Sequence, residues 1–186
     1  EEEENPRPTR YRIMSCCVGI DKEMTTFVQL DADGQQKEIL QWKFSVLGTR
    51  NAEAKQIVDT QDAELRDFII RNNPHALAVA ASGIPATKLF QNLTNLLDSL
   101  KSSRLVRDSV KAYYVPDDMA RIYEVSRRAS REFPNVANII RRAVSVGRRL
   151  SDPLTEISGL FNYHQGLLCY KFHPLQDMIP TDQLAS

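Results

Sequence analysis

The sequence has few cysteines and no long apolar run, and so lacks the features of disulfide-rich secreted proteins and of membrane-spanning proteins. It has only three cysteines among 186 residues. Cys16 and Cys17 are adjacent in an apolar run, and Cys169 is far away, so the spacing predicts reduced, buried thiols of an intracellular protein rather than a disulfide framework. No apolar run approaches the ~20 residues that cross a membrane. Residues 1–4 are all glutamate rather than the basic start of a secretory signal.

Several common functional motifs are also missing. The chain contains no P-loop, no dinucleotide-binding glycine fingerprint and no GxSxG sequence. His164, Cys169 and His173 lie within one short segment. However, their spacing fits no common zinc site and a fourth ligand is missing. We therefore predict no metal and no cofactor.

Charge is neutral overall but unevenly distributed. The sequence has 24 basic and 24 acidic residues. Residues 1–70 contain 14 acidic and nine basic residues, whereas residues 104–150 contain 11 basic and five acidic ones. A basic half in a neutral protein indicates a local anionic partner, and a solvated charged surface is the alternative.

An arginine-rich segment lies between Pro134 and Asp152, where we expect one helix. Pro134 suits a first helical turn, and Asp152 precedes Pro153, which disfavours helical backbone at the residue before it. An apolar stripe falls on one face, and Gly147 within it predicts close packing against another element. The opposite face carries Arg141, Arg142, Arg148 and Arg149.

Two interpretations of the arginines remain open. Together with the preceding helix, they form a candidate surface for nucleic acid or for an acidic protein segment. In the other interpretation they form internal salt bridges to Glu124, Glu132 or Asp152 on a solvated face. The candidate surface comprises Arg127, Arg128, Arg131, Arg141, Arg142, Arg148 and Arg149.

Residue periodicity predicts an α/β protein. Strand-like runs occupy 11–20, 24–30, 39–46, 76–81 and 110–115. The first three are separated by short connections, including the turn at Asp31–Gly34, and predict an antiparallel meander. Helical segments occupy 52–72, 86–100 and 117–131, followed by the arginine-rich helix and by 154–161. Asp117 is expected to be the N-cap of its helix.

Three segments carry a family resemblance. SRRASREFPN at 126–135 and RRAVSVGRRLSDPL at 141–154 resemble the segment that follows the core of YqgF-type, RNase H-like domains in bacterial Tex and its eukaryotic relatives. LLCYKFHPLQDMIPTDQL at 167–184 resembles the eukaryotic group, the suppressor-of-Ty-six family of transcription elongation factors and histone chaperones.

The resemblance implies an RNase H-like (YqgF/RuvC-like) mixed five-stranded sheet flanked by helices, with a short C-terminal extension. Residues 1–10 are expected to be an acidic, proline-containing linker. Residues 11–150 are expected to form the YqgF/RNase H-like domain, and 151–186 to begin a helix-hairpin-helix-type region.

The resemblance also identifies positions where active relatives hold two metal ions with carboxylates. The opening run, 13–20, contains no acid, and 78–83 has small residues at the second position. Asp21, Asp118 and Asp152 remain as vestigial candidates. One or two isolated acids hold Mg²⁺ poorly, so we expect a pseudo-nuclease. The alternative is a metal-dependent RuvC-like nuclease that uses these three residues. Asp117 and Asp152 also have simple structural roles as a helix cap and in a turn.

The same resemblance implies that the protein is located in the nucleus. The expected partners are other domains of the same polypeptide, the RNA polymerase II elongation machinery and histones. Nucleic acid is a further candidate partner, and no membrane association is expected.

Overall fold

A computed structural model describes residues 11–19, 24–42, 52–161 and 176–179. Its strands are β1 (Ile13–Cys17), β2 (Thr25–Leu30), β3 (Gln36–Trp42), β4 (Ala76–Ala80) and β5 (Lys111–Val115). Its helices are α1 (Ala52–Asn72), α2 (Ile84–Ser102), α3 (Asp118–Glu124), α4 (Arg127–Glu132), α5 (Asn138–Ser151) and α6 (Pro153–Phe161). A single 3₁₀ turn covers Gln176–Met178.

The five strands form one mixed sheet in the order β3-β2-β1-β4-β5. The first three strands pair antiparallel, as the meander predicts, and β1–β4 and β4–β5 pair parallel. Parallel neighbours need crossover connections, which α1 and α2 supply. The predicted mixed five-stranded sheet flanked by helices is therefore confirmed.

The turn between β2 and β3 is built by its acidic residue. Asp31 Oδ1 accepts hydrogen bonds from the backbone N–H groups of Asp33 and Gln35, both at 2.9 Å. Gly34 has a φ of 73°, which side chains with a Cβ rarely adopt. The tight turn predicted at this position is confirmed.

Each face of the sheet has its own core. Met14, Cys16 and Phe27 belong to the face covered by α1 and α2. Ile13 and Cys17 point to the other face, which α5 covers. Cys16 and Cys17 are buried and form no disulfide within the described residues, as predicted, and burial raises the pKa of Cys16 well above its usual value. Cys169 lies outside the described residues.

Close approach of α5 to the sheet depends on Gly147. A Cβ at this position would lie 2.5 Å from Leu30 Cδ1 and 3.1 Å from Ser15 Cβ. Both distances are shorter than ordinary van der Waals contacts. The prediction that another element packs tightly against Gly147 is confirmed.

Two helix predictions need correction. The predicted helix over 117–131 is two helices, because the chain turns at Val125 and Ser126 Oγ caps α4 by accepting from Ala129 N. The arginine-rich helix begins at Asn138 rather than at Pro134, since Asn135 has a φ of 60° and interrupts helical backbone. Its predicted end at Asp152 is confirmed.

Within the described residues, no helix has both the length and the apolar character needed to span a bilayer.

Candidate functional site: the arginine helices and the carboxylate positions

Helix α5 is buried around most of its circumference. The sheet covers one side, and α3 and α6 pack against the helix as well. Buried residues include Arg142 and Ser145 as well as Ile140, Ala143 and Val144. The prediction of a helix with one buried stripe and four presented guanidinium groups is therefore wrong, because a second layer of helices covers part of the basic face.

Arg142 forms a buried ion pair with Glu124 of α3. Its Nε donates to Glu124 Oε2 at 2.7 Å and its Nη2 donates to Oε1 at 2.9 Å. The two side chains are only 9% and 10% exposed. A bidentate pair of this kind fixes both distance and angle, so it sets the position of α3 on α5.

Arg148 joins three elements. Its guanidinium binds the Glu132 carboxylate of α4 through two hydrogen bonds, and its Nε donates to the Gly34 carbonyl at 2.8 Å. The Tyr123 hydroxyl donates to Glu132 Oε2 at 2.7 Å. Burial opposes ionisation of Glu132, but the hydrogen bonds from Arg148 and Tyr123 outweigh it and lower its pKa. Burial and the bond to Glu132 raise the pKa of Tyr123.

Arg141 and Arg149 bind backbone carbonyls. Arg141 Nη2 donates to the Phe133 carbonyl at 2.8 Å, and Arg149 Nη1 donates to the Pro116 carbonyl at 3.0 Å. Both side chains are half-buried. They hold the loops before α5 and after β5, which leaves only part of each guanidinium accessible.

Arg128 packs inside the junction of α4 and α6. Its guanidinium carbon lies 5.6 Å from the centre of the Tyr123 ring, and a Cβ on Gly159 would overlap its Nη1. The Nη1 atom is buried and has no hydrogen-bond partner among the described residues. Beside it, Glu156 accepts from Ser145 Oγ at 2.6 Å, and burial raises the pKa of Glu156.

The same junction borders a charged cavity of about 460 Å³. The turn between β2 and β3 forms one wall, and α4 and the α5–α6 junction form the others. Its charged lining residues are Asp33, Arg128, Glu132, Arg148, Asp152 and Glu156. The cavity has acidic and basic groups in close proximity, so the arginines there face carboxylates of their own chain.

Arg127 and Arg131 are the exposed members of the predicted surface. Neither has an ion pair within the part of the chain that the structure describes. They lie on α4, next to the buried Ala129. Of the seven candidate arginines, these two have the most accessible charge, and their role in binding stays a prediction.

The structure describes two of the three candidate carboxylates, Asp118 and Asp152. Asp21 lies outside the described residues. Asp118 is exposed in the first turn of α3. Asp152 accepts from Thr155 N at 3.1 Å and from Thr155 Oγ1 at 2.6 Å, which lowers its pKa. It therefore caps α6, in line with the structural role predicted for it.

The carboxylate of Asp117 is engaged by a neighbouring arginine. Asp117 is at the N-cap position of α3 as predicted, but its carboxylate accepts from Arg121 Nε at 2.9 Å instead of from backbone N–H groups. No group of three His, Cys, Asp or Glu residues positioned to hold a metal ion occurs within 11–19, 24–42, 52–161 and 176–179. His164, Cys169 and His173 lie outside these ranges.

At the centre of the sheet, small side chains face α5. Ser15 of β1 is fully buried and pairs in register with Ala78 of β4. Its Oγ donates to the Val28 carbonyl at 3.4 Å. Ser15 also lies directly under Gly147, so the space between sheet and helix is filled by packing.

Sequence patterns identify only some residues of this region. They predict Glu124 and Glu132 as possible salt-bridge partners of the arginines, and both pairings are confirmed. They do not identify Glu156 or Tyr123. An acid four residues after a helix break, within a largely apolar helix, is the available signal for Glu156.

The strand order and the two-sided helix cover define the RNase H-like class of α/β domains. The chain belongs to the YqgF family described as Holliday-junction resolvase-like of SPT6, whose family model matches residues 7–161.

Curated relatives carry names from the same family. A transcription elongation factor SPT6 homolog from Arabidopsis thaliana is 28% identical over 92% of this chain and 11% of its own length. An SPT6-like elongation factor from the same plant is 30% identical over 98% of this chain and 14% of its own. The Drosophila melanogaster elongation factor SPT6 is 28% identical over 70% of this chain and 7% of its own length. The chain thus spans a small part of each relative.

Proposed function

We propose that this chain is a non-catalytic RNase H-like scaffold domain of a nuclear transcription elongation factor and histone chaperone that acts with RNA polymerase II on chromatin. The names of the SPT6 relatives support the role in elongation. The proposed partners are other domains of the same polypeptide, the polymerase machinery and histones.

One observation carries the scaffold role. The strongest polar contacts of the basic segment, Arg142–Glu124 and Arg148–Glu132, are internal and join α3 and α4 to α5. Arginines used in this way fix the relative positions of helices. A domain whose helices are held rigidly can define the geometry of what is attached to its two ends.

The proposed domain organisation follows the expected boundaries. Residues 1–10 form a linker, 11–150 the YqgF/RNase H-like domain, and 151–186 the start of a helix-hairpin-helix-type region. Helix α6 packs on α5, and Asp152 and Pro153 begin it directly after α5. A rigid junction here supports a role for α6 in orienting the following region.

Absence of catalysis is proposed from the carboxylate positions. Two-metal hydrolysis of a phosphodiester requires several carboxylates that converge on ions about 4 Å apart. Asp118 is exposed on α3, and Asp152 is engaged in capping α6. The capping contact supports a structural role for Asp152.

Contact with nucleic acid or with an acidic protein segment is proposed as a second task of the basic surface. Arg127 and Arg131 are its most exposed members, and Arg141, which donates to Ser130 Oγ of their helix, α4, lies beside them. Arg149 is partly exposed on α5. Arg128, Arg142 and Arg148 support this surface from within.

A nuclease assay tests the proposal. The chain is incubated with Mg²⁺ or Mn²⁺ and branched, duplex or single-stranded DNA, alongside Asp118→Asn and Asp152→Asn. We expect no cleavage by any of the proteins, with folding checked by circular dichroism. Cleavage that disappears in the variants would instead support the second candidate, a metal-dependent RuvC-like nuclease, and make Asp21 the next residue to substitute.

A further inference from the structure

Strand β5 is an outermost strand of the sheet, with β4 as its neighbour. Ala81 N donates to the Val115 carbonyl at 2.8 Å, so Val115 directs its backbone groups toward β4. Successive residues of a strand direct these groups to alternate sides. Ala112 and Tyr114 therefore direct their N–H and C=O groups to the open edge, away from β4, where no described strand pairs with them and a further strand can do so.

Large side chains stand exposed on both faces of this edge. Tyr113 is 45% and Tyr114 43% exposed, and Ile84 at the start of α2 is 74% exposed. The Tyr114 ring packs edge-on against Phe90 at 5.7 Å, and its hydroxyl lies 3.2 Å from Thr87 Oγ1. Tyr114 is thus held in place while its outer surface stays available for contact.

The beginning of β5 is basic. Residues 104–111 contain three basic residues and one acid, Asp108. Lys111 pairs in register with Ala76, directly after His75. Val110 N donates to the Arg107 carbonyl at 3.2 Å, so Arg107 lies in the turn directly before β5. Burial and then the positive charges of Arg107 and Arg12 lower the pKa of His75. Arg107 and Lys111 are exposed and form no ion pair within the described ranges.

The opposite edge of the sheet differs. On β3, Lys37 pairs with Asp31 at 3.0 Å, and Glu38 is bound by Arg71 and Asn72. The charges of that edge are satisfied within the domain. The cations beside β5 have no such acidic partners among the described residues, so this edge is complementary to a ligand of negative charge.

We propose that the open edge of β5 binds an extended acidic peptide segment of a protein partner as a sixth strand. Its backbone pairs with Ala112 and Tyr114, and its carboxylates lie beside Arg107 and Lys111. Addition of a strand to a sheet edge is an established mode of peptide recognition. This site is separate from the arginine helices and does not depend on their proposed role.

The backbone geometry favours a peptide over nucleic acid. A phosphate backbone is attracted by the same cations but has no N–H groups with which to continue the ladder. Only a peptide can contact the cations and also pair with the outward backbone groups of β5. Methylation of the peptide's amides removes its backbone hydrogen bonds and leaves its charge unchanged.

The test uses the whole 186-residue chain. A fluorescein-labelled peptide that alternates glutamate with valine or threonine is titrated by fluorescence anisotropy. Three probes serve as comparisons: the same peptide N-methylated on alternate residues, a peptide with lysine in place of glutamate, and single-stranded DNA. The variants are Lys111→Glu, Ala112→Pro and, as a charge-matched control at an exposed position on α1, Arg66→Glu.

We expect the acidic peptide to bind, with affinity reduced about tenfold or more by Lys111→Glu and unchanged by Arg66→Glu. N-methylation should abolish binding. Ala112→Pro removes an outward N–H and is compatible with an edge strand, so it should also weaken binding. Equal binding of the N-methylated peptide, no binding of the acidic peptide, or binding of DNA alone would each overturn the proposal. Because methylation alters only the probe, that comparison stays decisive even if a variant fails to fold.

Discussion

The two faces of the sheet are held by different kinds of contact. On the α1/α2 face, large apolar side chains fill the interior, for example Phe27 against Trp42 with ring centres 4.9 Å apart. On the α5 face, small residues allow the helix to approach closely, and ion pairs connect the helices behind it. The α1/α2 face is therefore stabilised mainly by the burial of large apolar side chains. The α5 face is stabilised mainly by ion pairs and close packing that fix the positions of its helices.

This difference has a consequence for tolerance to substitution. An apolar interior accepts exchanges that conserve volume, because the hydrophobic effect has no direction. Ion pairs and a helix in close contact with a sheet depend on exact geometry. The α5 face should therefore be the more sensitive of the two to single changes, and especially to those that leave a charge buried.

The largest loss of stability is expected for Glu124→Leu. Arg142 is 9% exposed, and loss of this carboxylate leaves a buried guanidinium without its bidentate partner. We expect a loss of about 3–5 kcal/mol in the free energy of unfolding, measured by urea denaturation. The double variant Glu124→Leu/Arg142→Met should recover most of it, because two apolar side chains replace both charges.

A substitution on the α1/α2 face provides a comparison for the stability loss expected of Glu124→Leu. Leu93→Ala of α2 removes a buried apolar side chain and should cost about 2–5 kcal/mol. No second substitution is expected to restore that loss as the double variant does. If Glu124→Leu costs less than about 1 kcal/mol, the ion pair does not stabilise the α5 face.

The next largest effect is expected for Gly147→Ala. Its new Cβ would lie 2.5 Å from Leu30 Cδ1 and close to Ser15, so helix and sheet must separate. Overpacking of this kind costs about 1–3 kcal/mol, reduced by the better helix propensity of alanine. Thermal unfolding monitored by circular dichroism measures the loss.

Gly159→Ala is the matched control in α6. Its Cβ would meet the end of the flexible Arg128 side chain, which can move aside. We expect a change within about 1 kcal/mol of zero, since alanine also favours helix over glycine. Equal losses for both variants would mean that the tight contact at Gly147 has no special role.

Residue periodicity is sufficient to predict the strands, the α/β class and the tight packing at Gly147, because each strand and turn has a local signal such as Asp31–Gly34. The arrangement of the strands in an RNase H-like sheet follows from the family resemblance. Periodicity is insufficient for the arginines. A basic stripe on one helix indicates a solvent-exposed face only if no other element covers it. The helices that pack against α5, α3 and α6, are short. The division at Val125 also has no strong local signal, since Ser126 becomes a cap only once the chain turns there.

Two acids of the α5 face, the partly buried Glu132 and the buried Glu156, should have opposite effects on the pH dependence of stability. The folded-state pKa of Glu132 is lowered, so its contribution to stability is present above its unfolded pKa of about 4.3 and lost as the pH falls through the folded value. Glu132→Gln should cost on the order of 1 kcal/mol near neutral pH, and this difference from the wild type should shrink toward acid pH.

Glu156 provides the contrast. Burial raises its folded-state pKa, despite the hydrogen bond from Ser145 and the charges of Arg128 and Arg148. Its contribution is therefore fully present below the unfolded pKa and lost as the pH rises through the folded value. Relative to Glu156→Gln, the wild type should gain stability as the pH falls. Urea denaturation of both variants between neutral and acid pH measures the two slopes, and slopes of the same sign would contradict these assignments.

The smallest effect on stability is expected for the exposed arginines. Arg127→Ala and Arg131→Ala remove charges with no ion pair within the described residues, so the free energy of unfolding should change by less than about 0.5 kcal/mol. Arg141→Ala removes hydrogen bonds to the Phe133 and Glu124 carbonyls and should cost about 1 kcal/mol. Urea denaturation of the three variants under one set of conditions separates arginines that hold the domain together from those available to a partner. A cost for Arg127→Ala or Arg131→Ala that matches Arg141→Ala would assign these two residues to internal packing and remove the reason to propose a partner for them.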